Sequence, residues 1–325
     1  MRIKSVFLIS LRACVAFGIL YYLFSKIPLS IVMSSLSTAK LNYLVMAYII
    51  TLVMHLIAGY RLKFFTKNQG LQFSVFQAIE INMSAVFYGL FLPGGNLAGG
   101  AIRFYKLSGH GKNMAEALAA LTLDRVIATL ALCLIGILFW LINLPSESGY
   151  IVLSMTILLS GLALLNIFLF TERFQISSGI TGKILAWIGR LFVLVRLKKL
   201  IETFSRFKSL TLKSLFFILA LSLTSQLLGV LVFYQLALSL GMDVSFVAIA
   251  WIRCAVVLIT MVPITIAGLG LREGSLIFLL RPYGIPDDQA FALSILVFGI
   301  TVLLIGILGG MIECIKLFVR IKNQI

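Results

Sequence analysis

The length of the apolar runs limits this chain more than any other feature. From about Met114 to Ile142 the sequence is apolar but for a few residues, Asp124 and Arg125 among them. Runs of similar character extend over about Ser5 to Phe24, Leu41 to Tyr60, Tyr150 to Phe170, Leu215 to Leu240 and Ala290 to Leu317. Each approaches or exceeds the ~18 residues that signal a membrane-spanning helix. Of 325 residues 61% are hydrophobic and 12% charged, more apolar surface than a soluble core can bury. A membrane β-barrel would instead show alternating segments of ~10 residues. The chain is therefore expected to be an all-α polytopic integral membrane protein, with residues 1–325 forming one transmembrane domain.

Two apolar stretches are interrupted by helix breakers. The first is Phe91-Leu-Pro-Gly-Gly-Asn-Leu-Ala-Gly-Gly-Ala-Ile-Arg103 and the second is Met261-Val-Pro-Ile-Thr-Ile-Ala-Gly-Leu-Gly-Leu-Arg-Glu-Gly274. Proline removes a backbone donor and glycine frees the backbone. In hydrocarbon, such freed peptide groups survive only inside protein or beside a wet cavity. Pro93, Gly94, Gly95, Gly99 and Gly100 of the first stretch are set against Pro263, Gly268 and Gly270 of the second. Pro93 to Pro263 and Gly100 to Gly270 are equal separations, and Leu134-Ile-Gly-Ile-Leu138 reappears at Leu304-Ile-Gly-Ile-Leu308. The shared order of breaker, charge and long helix reads as an internal duplication, with repeat elements over about 73–142 and 244–317.

Charge placement gives the expected topology. The 27 basic residues outnumber the 11 acidic ones, for a net charge of +16. They cluster between apolar runs, which points to topology and anionic lipid rather than nucleic acid. Arg61, Lys63 and Lys67 follow the second run; Arg103, Lys106, His110 and Lys112 follow the first break; Lys316, Arg320 and Lys322 follow the last run. All fall on one side if 73–112 and 244–288 are re-entrant. That scheme has about six full spans and two re-entrant elements, both termini cytoplasmic, and the two broken elements entering from opposite sides. About eight plain spans fit the apolar count as well but place the basic loops worse. Lys26 to Lys40 reads as a short polar connection. Residues 171–213, with Lys198, Lys199, Arg206 and Lys208 between helically spaced apolar positions, read as a basic amphipathic segment on the cytoplasmic leaflet, or as a solvated loop. The N-terminal run, with no convincing cleavage site, reads as an uncleaved first span.

Charges at membrane depth carry the functional question, because each costs about 2.5–3.5 kcal/mol to insert. The candidates are Glu80, Asp124, Arg125, Arg253, Arg272, Glu273 and Glu313. Neighbouring residues on a helix point about 100° apart, so cross-pairing is expected: Asp124 with Arg272, and Arg125 with Glu273. Such pairs either staple the repeats together or line a polar groove in which arginines hold a phosphate headgroup. Arg103, Asp124, Arg125, Arg272 and Glu273 are the candidate substrate-binding residues. The glycine stretches lack the flanking residues of nucleotide loops, and they serve either close helix packing or an anion. Cys14, Cys133, Cys254 and Cys314 form no C-x-x-C pair, so no metal or cofactor is expected. His55 reads as a packed interior histidine.

These residues together resemble the lysylphosphatidylglycerol synthase transmembrane, flippase-like, family: Pro93-Gly-Gly, Gly99-Gly100 and Arg103, then Asp124-Arg125, then Pro263 and Gly268-Leu-Gly-Leu-Arg-Glu-Gly274. The resemblance covers roughly residues 5–320. It implies a membrane domain that moves aminoacylated or other anionic phospholipids between leaflets, here without the soluble aminoacyl-transferase domain of full-length synthases. The leading expectation is a lipid flippase in the cytoplasmic (inner) membrane, acting on an anionic phospholipid or lipid-linked precursor rather than as an enzyme. One alternative is a membrane-embedded transferase with Asp124 or Glu273 as base. The other is an accessory subunit in envelope polysaccharide assembly, with a homodimer or an envelope-synthesis partner.

Overall fold

The computed structural model describes residues 29–91, 96–109, 114–143, 212–261, 265 and 268–322. The described residues are helical, with turns and bends between helices and no strand. Four helices are long and apolar enough to cross a membrane: Leu41–Asn68, Met114–Ile142, Lys213–Ser239 and Asp287–Phe318. The chain is thus an all-α polytopic membrane protein. The expected spans at 5–24 and 150–170 lie outside the described residues, as does nearly all of the basic segment at 171–213.

One order of elements occurs twice. In the first half it is α2 (Leu41–Asn68), α3 (Val75–Phe91), α4 (Asn96–Leu107) and α5 (Met114–Ile142). In the second half it is α6 (Leu212–Ser239), α7 (Phe246–Met261), α8 (Leu271–Leu280) and then α9 (Asp287–Phe298) running on into α10 (Leu304–Lys322). The matched helices are close in length: 28 residues in both α2 and α6, 17 in α3 and 16 in α7. Both α3 and α7 stop two residues short of a proline, where the pre-proline position disfavours helix. The long element that precedes each break belongs to this order too, one helix more than the glycine motifs reveal.

Each broken element folds back on itself. In the first, a Cβ on Gly99 of α4 would run into the Ala85 carbonyl of α3, so glycine is what allows the two backbones to touch. Lys106 near the end of α4 reaches Ser84 on α3, its Nζ donating at 3.0 Å. In the second, Trp251 near the start of α7 donates to the hydroxyl of Tyr283, just past α8, at 3.1 Å. The two hairpins open at opposite ends of the bundle. The mouth of the first is tied to Glu313 and Lys316 near the end of α10. The mouth of the second is tied to Asn143 at the end of α5, which donates to Tyr283. Because α5 starts beside the first mouth and ends beside the second, the openings face apart.

Three sequence boundaries are corrected. Within the connection expected to be polar, Leu29–Ser37 forms a helix, α1, packed against α9. The second span does not end at Tyr60: α2 continues to Asn68, and Arg61, read as a flanking loop charge, is a buried helical residue. The last span is one continuous helix from Asp287 to Lys322, with π-helical turns at Gly299–Leu303 between α9 and α10.

The interior lies where α5, α6, α7, α8 and α9 meet, around Leu132, Leu236, Ile252, Leu276 and Leu293. A second contact area joins α3 to α10. A Cβ on Gly309 would strike the Met83 backbone, and Cβ atoms on Gly306 and Gly310 would strike Leu90 and Phe87. Small residues at this helical spacing let membrane helices approach closely. Large apolar side chains point outward, including Leu134 and Leu138 on α5 and Met311 and Phe318 on α10, as a lipid-facing surface requires.

Candidate anion-binding site

Asp124 sits two to three turns into α5, in a run with no other acidic group near it in sequence. A lone carboxylate in an apolar interior needs a cation and hydrogen bonds to remain charged. Arg61 of α2 supplies both: its Nε donates to Asp124 Oδ1 at 2.6 Å, and both residues are less than one-tenth exposed. The Arg61 Nη1 donates to Ser222 Oγ of α6 at 3.1 Å, and the Ser222 hydroxyl donates onward to the Ile218 carbonyl. One ion pair thus joins α2, α5 and α6. The expected pairing of Asp124 with Arg272 is corrected. The extended α2 brings Arg61 to Asp124, whereas Arg272 is engaged in the other hairpin.

Arginines besides Arg61 act on this carboxylate. Arg125, the next residue on α5, and Arg103 on α4 act electrostatically on one another and on the Arg61–Asp124 pair. The Nε of Arg103 is inaccessible to solvent and has no hydrogen-bond partner among the described residues. In water-poor surroundings an unmet cationic donor is costly, and an anion bound there would relieve the cost. Arginine suits that task because it stays protonated and presents a planar fork of donors to phosphate or carboxylate.

Arg272 and Glu273 have a different setting. Their helix, α8, starts from a bend in which Gly268 and Gly270 hold φ of +75° and +82°, conformations that side chains with a Cβ rarely adopt. That requirement accounts for the Gly-x-Gly spacing. Glu273 Oε2 accepts from the Gly270 amide at 2.6 Å, capping the helix start. Its other oxygen, Oε1, accepts from Arg272 Nη2 at 2.7 Å and from the Ser294 hydroxyl at 2.8 Å, and Arg272 Nε donates to Ser294 at 2.8 Å. The guanidinium lies 4.9 Å from the Phe298 ring centroid. The expectation that Arg125 pairs with Glu273, and that adjacent residues are too divergent to pair, is corrected. The carboxylate turns back to cap its own helix, and the long arginine side chain follows it.

A third group of charges closes the mouth of the first hairpin. Lys106 on α4 pairs with Glu313 on α10 and lies 4.0 Å from Glu80 on α3; Lys316 pairs with Glu80 at 2.5 Å. Ser84 donates to Glu313 as well. Two lysines meet two glutamates here, so this ring is balanced. Among the described residues no group of three or more metal-ligating side chains occurs. Pro93, Gly94, Gly95 and Pro263 lie outside the described residues. Gly99 is the point of closest approach inside the first hairpin, and Gly100 is buried beside it.

Compared with known families, the sequence matches the one described as Lysylphosphatidylglycerol synthase TM region over residues 7–309. The chain belongs to this family. No curated protein sequence matches it significantly. For this member of the lysylphosphatidylglycerol synthase transmembrane family, membership brings a membrane-lipid role in the cell envelope. Its two charged motifs are unlike in structure: Asp124 pairs with Arg61 of another helix, whereas Arg272 and Glu273 pair with each other. Arg61 is the residue that sequence reasoning missed. Its signal is the absence of any acidic residue on α2, which leaves a helical arginine to find its partner on another element.

Proposed function

We propose that the chain moves an anionic or aminoacylated phospholipid, or a lipid-linked precursor, between leaflets. In this reading Arg61, Arg103 and Arg125 receive the phosphate headgroup, with Asp124 fixing Arg61. Arg272 and Glu273 keep the second broken element in shape beside the headgroup path. The single observation that carries the reading is the buried Arg103 Nε, which meets no hydrogen-bond acceptor among the described residues although it lies close enough to the Arg61–Asp124 pair to act on it electrostatically. Hairpins that open at opposite ends suit alternating access, in which a central site is exposed to each face in turn. The transferase alternative has less support, because Asp124 and Glu273 are both held in ion pairs and neither is free to act as a base. The direct experiment is native mass spectrometry of co-purified lipid, followed by a leaflet-exposure assay in liposomes. Capture of phosphate-bearing lipid and protein-dependent exchange are expected; exchange equal to that of empty liposomes would overturn the reading.

The proposed orientation places the lysine-rich end, with Lys63, Lys67, Lys106 and Lys316, in the cytoplasm of a cell whose inner membrane holds the chain, and both termini with it. Asp243, Asp287 and Asp288 then lie outside. Cysteines introduced at Lys67 and Ala115 are expected to react only with reagent admitted to the cytoplasm. Cysteines at Asp243 and Pro282 are expected to react from outside. Labelling of positions 67 and 115 from opposite sides would replace the first hairpin with a full span.

A further inference from the structure

One buried arginine outside this site pairs with no carboxylate among the described residues. Arg253 lies on α7 and is 6% exposed. Its Nη1 donates to Gln226 Oε1 of α6 at 2.8 Å, and the Gln226 amide donates to the Ala128 carbonyl of α5 at 3.2 Å. The glutamine is thereby anchored with its oxygen toward the guanidinium. Its titratable neighbour is the Cys254 thiol; among the described residues no carboxylate pairs with Arg253, and its buried Nε has no hydrogen-bond partner. Opposite stands Gly229, where any Cβ would collide with the guanidinium carbon and nitrogens. The fold has built a berth for a cation and, among the described residues, sets no carboxylate against it. Even a buried ion pair is often replaceable by apolar side chains at no loss of stability, and a buried charge with no carboxylate against it is costlier still to keep. Fastening α6 to α7 therefore gives no reason to keep a charge here.

The position of the berth is informative. Gln226 and Ala128 are each one helical turn beyond Ser222 and Asp124, the residues that hold Arg61. On both α5 and α6 that turn leads away from the lysine-rich end, toward the mouth of the second hairpin. We propose that Arg253 is a second anion-holding station. A phosphate group held by Arg61, Arg103 and Arg125 is passed one turn along the α5–α6 interface to Arg253, and from there toward the opposite face. This proposal rests on the lipid-translocation reading and adds a residue to it. The phosphate is that of a lipid headgroup or of a free anion, and the test separates the two.

Full-length protein is compared with Arg253→Met, which keeps similar volume without charge, and with Arg253→Lys. The first readout is thermal unfolding in detergent with no added ligand. The second is the stabilisation produced by dihexanoyl-phosphatidylglycerol, by inorganic phosphate and by dihexanoyl-phosphatidylcholine. The third is the leaflet-exchange rate of phosphatidylglycerol in liposomes. Whatever its own unfolding temperature, Arg253→Met is expected to need at least tenfold more dihexanoyl-phosphatidylglycerol for the same stabilisation and to exchange lipid at least tenfold more slowly. Arg253→Lys is expected to fall between. Stabilisation by inorganic phosphate that matches the short-chain lipid and is lost in Arg253→Met identifies a free anion as the ligand. Parent-like ligand response in Arg253→Met overturns the station, as does a lower unfolding temperature with unchanged ligand response. If Arg103→Gln abolishes exchange and Arg253→Met leaves it intact, the station fails while translocation stands. If the parent itself exchanges no lipid, translocation fails, and the ligand response alone decides the station.

Discussion

Asp124→Ala is expected to destabilise the protein by about 3–5 kcal/mol, the usual result of removing one partner from a buried ion pair. Arg61 would keep only the Ser222 hydroxyl, and its buried guanidinium would lose the carboxylate it pairs with. Thermal unfolding and folded yield in detergent measure the loss. Arg61→Met combined with Asp124→Ala is expected to recover most of it, because the double change removes both charges. Arg272→Met combined with Asp124→Ala is expected to give no such recovery, since effects at unconnected sites add. Recovery with Arg272 instead of Arg61 would restore the cross-paired arrangement that sequence adjacency suggests.

Arg103→Gln is expected to slow lipid exchange by about tenfold or more, the value of one charge-assisted hydrogen bond to phosphate at about 1.5–3 kcal/mol. Unlike Asp124→Ala, it should leave folding intact or improved, because it removes a buried donor unmet among the described residues rather than a counter-charge. Arg103→Lys keeps the charge but loses the two-donor fork, so it should recover only part of the rate. Unchanged exchange in Arg103→Gln, with lipid still captured, would take this residue out of the headgroup site.

What the sequence made legible is what depends on local chemistry. Apolar runs longer than a soluble core tolerates announced the spans. Pro93 and Pro263 announced where helices must stop, and Gly268-Leu-Gly270 announced a bend whose backbone requires glycine. Pairing across distant positions was not legible. Arg61 and Asp124 are 63 positions apart, and an arginine just after an apolar run looks like a topology signal until the helix is seen to continue past it. Arg272 and Glu273 were found as charges but matched to the wrong partners. Average helical angles describe where side chains start, not where a long guanidinium and a capping carboxylate end. Gly306 and Gly310 carried a readable small-residue spacing, yet the sequence does not say which helix they face.

The glycine-lined contact between α3 and α10 changes what counts as a moving part. Backbones this close, with the ring of Glu80, Lys106, Glu313 and Lys316 at their edge, have no side-chain cushion to slide upon. The first hairpin is therefore clamped to the last helix of the other repeat, and the mechanical blocks of this molecule are not its two sequence halves. A chain cut between the repeats would yield fragments that each lack a wall, so neither is expected to be stable until the other arrives.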